Sequence, residues 1–234
     1  DIQEHACWVL GNLAVNDATR AKISKAEGIE VILRAMKYHL TNASVQTRAC
    51  AALWALAFQN DDNKVKIANK DGINLILKAM KTHRSNVQVQ IEACGSLWNL
   101  AWNVVNKVKI ARANGINAII TAMKTHPTDT ELQKRACGAL GNLAVQNERN
   151  KVNIAKEGGI NAIITAMKSH VYMADIQEKA CWALRNMGII NEKSILENGG
   201  LDLVLLAMKT HRYEADLQQT ACLMLKYLTC NGGE

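Results

Sequence analysis

The chain has 234 residues and a formal net charge of +7, with 49% hydrophobic and 21% charged residues. This composition is that of an ordinary globular chain that can build a sizeable core. No run of about eighteen apolar residues is present, which excludes a membrane span, and a single proline and a single phenylalanine disfavour a β-sandwich or barrel. The charge is a mild bias towards acidic partners, too diffuse to indicate nucleic acid. The chain begins Asp-Ile-Gln without a signal peptide, so we expect a fragment.

Three residue types recur at intervals of 41 to 44 residues. The cysteines of this pattern are Cys7, Cys50, Cys94, Cys137, Cys181 and Cys222. The methionines and histidines are Met36, Met80, Met123, Met167 and Met208, and His39, His83, His126, His170 and His211. Residues 115–126 read GINAIITAMKTH and residues 159–170 read GINAIITAMKSH. Such a period is typical of helical arrays, since propeller blades need turn signals about every ten residues.

Each unit is predicted to contain three helices. In residues 147–189, a short helix at 150–156 stops at Gly158 and Gly159. A second helix follows at 160–169, and Asp175 is the predicted N-cap of a third helix that ends at Asn186. The equivalent capping positions are Asp1, Ser44, Asp129 or Thr130, and Asp216. We therefore predict an all-α solenoid with three helices per repeat, or an array of helix pairs whose first helix is kinked.

The predicted domain organisation is a single repeat domain over residues 1–234. It opens on a partial repeat that consists of a third helix alone. The limits are 1–15 for this partial repeat, then 16–58, 59–102, 103–145, 146–189 and 190–230 for the full repeats.

The third helix has two different faces. Cysteine and the leucines three and six positions later, as in Cys50, Leu53 and Leu56, form a stripe that is expected to be core. Positions one, four, five and eight after the cysteine form a second stripe, centred about 150° away. It holds all five tryptophans and the only phenylalanine, namely Trp8, Trp54, Trp98, Trp102, Trp182 and Phe58.

Asparagine recurs four times on the second stripe, at Asn12, Asn99, Asn142 and Asn186. Asparagine is a mediocre helix former, so its recurrence within a helix needs a reason. Its amide can donate and accept at once, as the backbone of an extended peptide requires. Neighbouring tryptophans would supply the contact area that is typical of binding hot spots.

The pairs Trp8-x-x-x-Asn12 and Trp182-x-x-x-Asn186 resemble the Trp/Asn arrangement of importin-α-like armadillo-repeat proteins. The similarity covers the whole chain at the level of the repeat. It implies a right-handed superhelical armadillo-repeat solenoid whose third helices line a concave groove. In that family, asparagines hold the backbone of an extended ligand and tryptophans wall its side-chain pockets. The pair is complete in only two units. Glycine stands at the Trp position in two others, where Gly95 precedes Asn99 and Gly138 precedes Asn142.

The predicted function is that of a non-enzymatic scaffold that binds an extended protein segment. The cations Lys134, Arg185 and Lys226 near the groove face favour a segment of acidic character. The predicted peptide-binding residues are Trp8, Asn12, Trp54, Trp98, Asn99, Trp102, Asn142, Trp182, Arg185 and Asn186.

Other interpretations stay open. The tryptophans can pack against a neighbouring third helix, and the asparagines can bond across repeats. The array can be a structural or self-assembling solenoid, associating through uncapped ends, or a designed scaffold without a native ligand. Single-stranded nucleic acid stacked on the tryptophans is disfavoured, because the basic residues do not line the stripe.

The sequence predicts no metal site, since it lacks close cysteine pairs. It predicts no cofactor, since it contains no nucleophile elbow, H-E-x-x-H motif, phosphate loop or dinucleotide fingerprint. The periodic cysteines are expected in the core, about 10 Å apart and beyond the reach of a disulfide. Buried free thiols imply a reducing compartment, the cytosol or the nucleus. Cys230 is the expected exception, near the end and exposed. The periodic histidines end the second helix, where they are expected to bond its last carbonyls.

Overall fold

The structure is a computed structural model that describes residues 2–230, with the side chains of residues 2–188 and 190–227. Residues 2–230 form sixteen α-helices, numbered α1 to α16 in chain order, and one 3-10 turn, without a β-strand in that range. The prediction of an all-α fold is confirmed.

The helices follow one another in the predicted groups of three. The first helices are α2 (Asp17–Lys25), α5 (Asp61–Asn69), α8 (Val104–Arg112), α11 (Glu148–Lys156) and α14 (Glu192–Glu197), the last preceded by the 3-10 turn Ile189–Asn191. The second helices are α3 (Gly28–Tyr38), α6 (Gly72–Thr82), α9 (Gly115–Thr125), α12 (Gly159–Ser169) and α15 (Gly200–Thr210). The third helices are α1 (Ile2–Leu13), α4 (Ala43–Ala57), α7 (Val87–Leu100), α10 (Thr130–Ala144), α13 (Ala174–Met187) and α16 (Ala215–Cys230).

The described residues divide into two compact units within α9, one ending at Ala118 and the other starting at Ile119. In the first unit, α4 contacts both α1 and α7 and packs on its own second helix, α3. In the second unit, α13 contacts both α10 and α16 and packs on α12. The predicted repeat limits and the prediction of a single domain remain predictions.

The stripe of cysteines and leucines is the core, as predicted. In α4, Cys50, Leu53 and Leu56 are fully buried. Cys222 in α16 contradicts the prediction, because its side chain is exposed. The helix α16 packs on α13 and α15, and no described helix covers the face of α16 that carries Cys222. The prediction for Cys230 falls outside the described side chains.

The N-caps of the third helices are only partly those predicted. Asp129 caps α10, since its carboxylate accepts a hydrogen bond from the backbone N–H three residues later at 2.8 Å. The prediction of Ser44 is wrong, because α4 begins at Ala43 and its cap is Asn42. The Asn42 side chain accepts from the backbone N–H of Val45 at 3.1 Å.

Asp175 is also not a cap. The helix α13 already begins at Ala174, one residue before Asp175. Its N-cap is Met173, whose side chain makes no capping hydrogen bond. Asp175 and Asp216 instead lie in the first turns of α13 and α16, where a carboxylate interacts favourably with the helix dipole. The predicted cap Asp1 lies outside the described residues.

In each of the five full repeats, a glutamine four residues before the periodic cysteine closes the second helix of the same repeat. In α13, the Gln177 amide donates to the backbone carbonyls of Met167 and His170, both at 2.9 Å. The equivalent pairs of bonds are made by Gln46, Gln90, Gln133 and Gln218. Sequence reasoning missed these residues, although they recur at the same interval as the cysteines.

The histidines therefore have a different role from the one predicted. His83 Nε2 lies 2.7 Å from the carbonyl oxygen of Leu40, in the preceding repeat. His170 and His211 make the same contact at 2.8 Å, with the carbonyls of Pro127 and Val171. Because a carbonyl can only accept, Nε2 carries the hydrogen in each case. These imidazoles join consecutive repeats, since glutamine already occupies the carbonyls at the end of the helix.

The buried thiols make the fold sensitive to alkaline pH. Burial raises the pKa of Cys7 from 9.0 to about 11, and that of Cys137 and Cys181 to about 12. A raised pKa contributes stability that is complete below the unfolded value and is lost as the pH rises towards the folded value. We expect the Tm to fall progressively once the pH exceeds about 9, measured by circular dichroism at low salt.

The matched variant is Cys137→Ala combined with Cys181→Ala. Because two of the raised pKa values are removed, its Tm should fall less steeply between pH 9 and 11 than that of the parent chain. Equal slopes for the two proteins would contradict the assignment of the alkaline transition to these thiols.

Candidate functional site

The second stripe of the third helix consists of two kinds of position. In α7, the residues four and eight positions after the cysteine lie on the solvent side, since Trp98 is half-buried and Trp102, just beyond the helix, is 61% exposed. The residue five positions after the cysteine turns towards the preceding third helix, and Asn99 is only 7% exposed. This difference follows from the 100° that separates consecutive residues on a helix.

In the first unit, most of the predicted site residues reach solvent. Trp8 and Asn12 are exposed on α1. Trp54 on α4 and Trp98 on α7 occupy the same position in consecutive third helices, and both are half-buried. The structure therefore brings four of the five tryptophans to one side of α1, α4 and α7, with Trp102 at the end of α7 as the fourth.

Asn99 forms a hydrogen bond between repeats. Its Nδ2 donates to the backbone carbonyl of Trp54 at 2.9 Å. On the same side of α7, Ser96 Oγ donates to the carbonyl of Cys50 at 2.6 Å. Both bonds join α7 to α4, so the asparagine contributes to helix packing in this position. Asn142, at the same position of α10, is 1% exposed.

In the second unit, Trp182 packs on the preceding third helix. Its ring lies over Gly141, where an added Cβ would overlap Cζ3 of the ring, and the same Cβ would lie 3.2 Å from Cα of Ala183. Trp182, Arg185 and Asn186 are all half-buried on α13. The absence of a side chain at Gly141 therefore allows the indole to lie close to α10 while part of it remains accessible.

Most cations near this surface are already paired with carboxylates of the chain. Lys134 and Arg135 contact Glu131 at 2.6 and 2.7 Å, and Lys179 contacts Glu178 at 2.9 Å. Burial opposes ionisation of Glu131, but hydrogen bonds from the two cations outweigh it and lower the pKa of this carboxyl. Within the described part of the chain, Arg185 has no ion pair, and neither has Lys226, which is exposed on α16.

Two further classes of site are absent from the described residues. None of their histidine, cysteine, aspartate and glutamate side chains group as they would around a metal ion. No helix among them has the length and apolar character needed to cross a membrane.

Similar solved structures include an engineered protein and designed armadillo repeat proteins. An engineered protein is 24% identical, with 97% of this chain and 90% of that chain covered, at a TM-score of 0.85. A designed armadillo repeat protein is 16% identical, with 96% and 92% covered, at 0.84. Another, in complex with the peptide (KR)4, is 17% identical, with 95% and 91% covered, at 0.81. At these identities the likeness shows the fold alone, that of an armadillo-repeat solenoid.

Two family models match the sequence itself. The model described as Armadillo/beta-catenin-like repeat matches residues 147–188, and no curated protein is significantly similar. The model described as LRRK2 ARM repeat matches residues 24–152, more than half of the chain. Together with the three-helix repeats of the structure, this match shows that the chain belongs to the armadillo-repeat family.

Proposed function

We propose that this scaffold binds an extended protein segment on the solvent side of its third helices. One observation carries the proposal: all five tryptophans occupy that side, and each remains exposed or half-buried. An isolated exposed apolar residue needs no explanation, but five of the largest apolar side chains on one kind of surface do. Tryptophan is the residue most enriched among binding hot spots.

In the first unit, the proposed contacts to ligand side chains are made by tryptophans. Trp54 and Trp98 occupy equivalent positions on packed helices, about 10 Å apart. A ligand side chain between the two indoles would contact both rings and shield them from water. Trp8 and Trp102 would extend this surface along α1 and beyond the end of α7.

The asparagines divide into two roles in this proposal. Asn12 is exposed, so its amide is available to the backbone of a ligand. Asn186 is half-buried and its Nδ2 is buried, so only the rest of its side chain can contact a ligand. Asn99 and Asn142 are almost fully buried, and Asn99 would support the surface by fixing α7 to α4. Their replacement would disturb packing as well as binding, which makes them poor probes of ligand contact.

Arg185 supports an acidic segment as the ligand of the second unit. It lies four residues after the cysteine of α13, where α4 and α7 carry tryptophan. Because no carboxylate of the described chain pairs with it, its guanidinium is available for a bidentate contact with a ligand carboxylate. The (KR)4 complex of a designed armadillo repeat protein indicates that this fold also accepts basic segments, so both charge classes belong in the test.

Arg185→Gln tests the proposal. We expect the parent chain to bind labelled extended acidic peptides in preference to neutral and basic ones, as measured by fluorescence anisotropy. The variant should lose roughly tenfold or more in affinity for the acidic class, because a hydrogen bond to a charged group contributes about 1.5–3 kcal/mol. Lys168→Gln, which removes an exposed cation from the second helix α12, is the control and should leave affinity unchanged.

Three results would contradict the proposal. Equal affinity of Arg185→Gln and the parent for acidic peptides would mean that the guanidinium does not contact the ligand. Binding by none of the three peptide classes would favour a scaffold without a peptide ligand. In that case light scattering at two concentrations tests self-association, for which Leu205, Leu206 and Leu223 provide exposed apolar surface on α15 and α16. Binding to single-stranded nucleic acid but not to peptides, with an affinity that falls steeply as the salt concentration rises, would indicate a nucleic-acid site.

A further inference from the structure

The first turn of α8 departs from the repeat. The other first helices carry acidic residues there, namely Asp17, Asp61, Asp62, Glu148 and Glu192. The helix α8 has none, and it begins with Val104 and Val105, whose side chains are 66% and 60% exposed. Acidic residues stabilise a helix N-terminus, and valine is a weaker helix former than most residues. The requirements of folding therefore do not explain two valines in this place.

Aromatic residues extend the apolar surface on both sides of this turn. Trp102 lies two residues before Val104, and Phe58 occupies the same position one repeat earlier, also exposed. The two repeats are joined here, because Asn103 Nδ2 donates to a carboxylate oxygen of Asp61 at 3.1 Å. Large exposed apolar side chains at the same end of two bonded repeats indicate an interaction site. The apolar edge consists of Phe58, Trp102, Val104 and Val105.

Carboxylates lie at one border of the apolar edge. Asp61 and Asp62 are exposed at the start of α5, and Asp62 makes no ion pair within the described residues. Lys64 forms an ion pair with Asp61 at 3.5 Å, and the Arg20 guanidinium lies 5.7 Å from the centroid of the Phe58 ring. Asp62 is therefore the carboxylate at this border whose charge is not neutralised by a described ion pair. A partner that covers the apolar edge would meet carboxylates at its border, which favours lysine or arginine beside its apolar side chains.

We propose that the apolar edge binds an amphipathic helix with a basic border. The spacing fits this partner, since Phe58 and Trp102 are one repeat apart, about 10 Å, and helical residues at i and i+7 are about 10.5 Å apart on one face. Apolar residues at i, i+3 or i+4, and i+7 would cover the two aromatic rings and the valines. This surface lies beyond the proposed binding of extended segments, although Trp102 belongs to both.

The test uses a labelled eighteen-residue helical peptide of leucine and lysine, and a second in which glutamate replaces lysine. The decisive variant is Val104→Asp combined with Val105→Asp, which gives α8 the acidic pair that α5 already has. The variant should therefore fold with an unchanged or higher Tm. We expect its affinity for the leucine–lysine peptide to fall at least tenfold in fluorescence anisotropy, and the parent to prefer this peptide to the glutamate form.

Asp61→Asn combined with Asp62→Asn separates the apolar contribution from the charged one. This variant should weaken binding of the leucine–lysine peptide by a smaller factor and reduce its preference over the glutamate form. Unchanged affinity of the double-valine variant, or equal affinity of the parent for both peptides, would overturn the inference.

The outcome is distinguishable from that of the proposed function. The valine variant should bind extended acidic peptides as the parent does, and Arg185→Gln should bind the leucine–lysine peptide as the parent does. If the parent chain binds only one of these two peptide classes, the class that it does not bind identifies the proposal that fails.

Discussion

Replacing Gln177 with alanine should lower the free energy of unfolding by about 2–4 kcal/mol. The Gln177 side chain is buried, and its amide donates two hydrogen bonds of 2.9 Å to the carbonyls of Met167 and His170. Alanine leaves both carbonyls at the end of α12 without this partner and opens a cavity beside α13. Because His170 in turn contacts the carbonyl of Pro127 at 2.8 Å, the link to the preceding repeat should weaken as well.

The chain contains a matched control for this substitution. Gln3 occupies the same position on α1, four residues before Cys7, but no second helix precedes α1 in the described residues. Gln3→Ala should therefore change stability by less than about 0.5 kcal/mol. Urea unfolding followed by circular dichroism compares the two variants, and hydrogen exchange at residues 167–173 locates the effect. Equal destabilisation by the two substitutions would mean that the capping bonds contribute nothing specific.

Replacing Gly141 with alanine should destabilise the chain by about 1–3 kcal/mol, the usual cost of overpacking. In a helix without neighbours the same change would stabilise by about 0.8–1 kcal/mol, because glycine is a poor helix former. The sign reverses here because the new Cβ would overlap the Trp182 ring and lie 3.2 Å from Cα of Ala183. Relief requires either displacement of the indole or separation of α10 from α13.

A double-mutant cycle with Trp182→Ala checks this explanation. Once the indole is removed, Gly141→Ala should become neutral or stabilising, since only the close approach to Ala183 remains. Thermal unfolding of the four proteins of the cycle supplies the measurement. If Gly141→Ala destabilises equally in both backgrounds, the indole is not what excludes a side chain at this position.

The sequence was sufficient for the features that depend on local patterns. The interval between cysteines predicts the repeat, and the stripe of Cys50, Leu53 and Leu56 predicts the buried face of α4, because burial follows the helical period. The predicted bounds of the three helices in residues 147–189 agree with α11, α12 and α13 within two residues. The helical period also places the tryptophans on a stripe away from the cysteines and leucines, which predicts the solvent side of the third helices.

Contacts between repeats were decided only by the tertiary structure. Asn99 and Trp98 are adjacent in sequence, yet Asn99 donates to the carbonyl of Trp54 while Trp98 lies on the solvent side. His83 likewise bonds the carbonyl of Leu40, in the preceding repeat. Such pairs are separated by about one repeat of chain, and their geometry depends on how adjacent helices pack. A helical period determines the face on which a residue lies, whereas only packing determines what that face contacts.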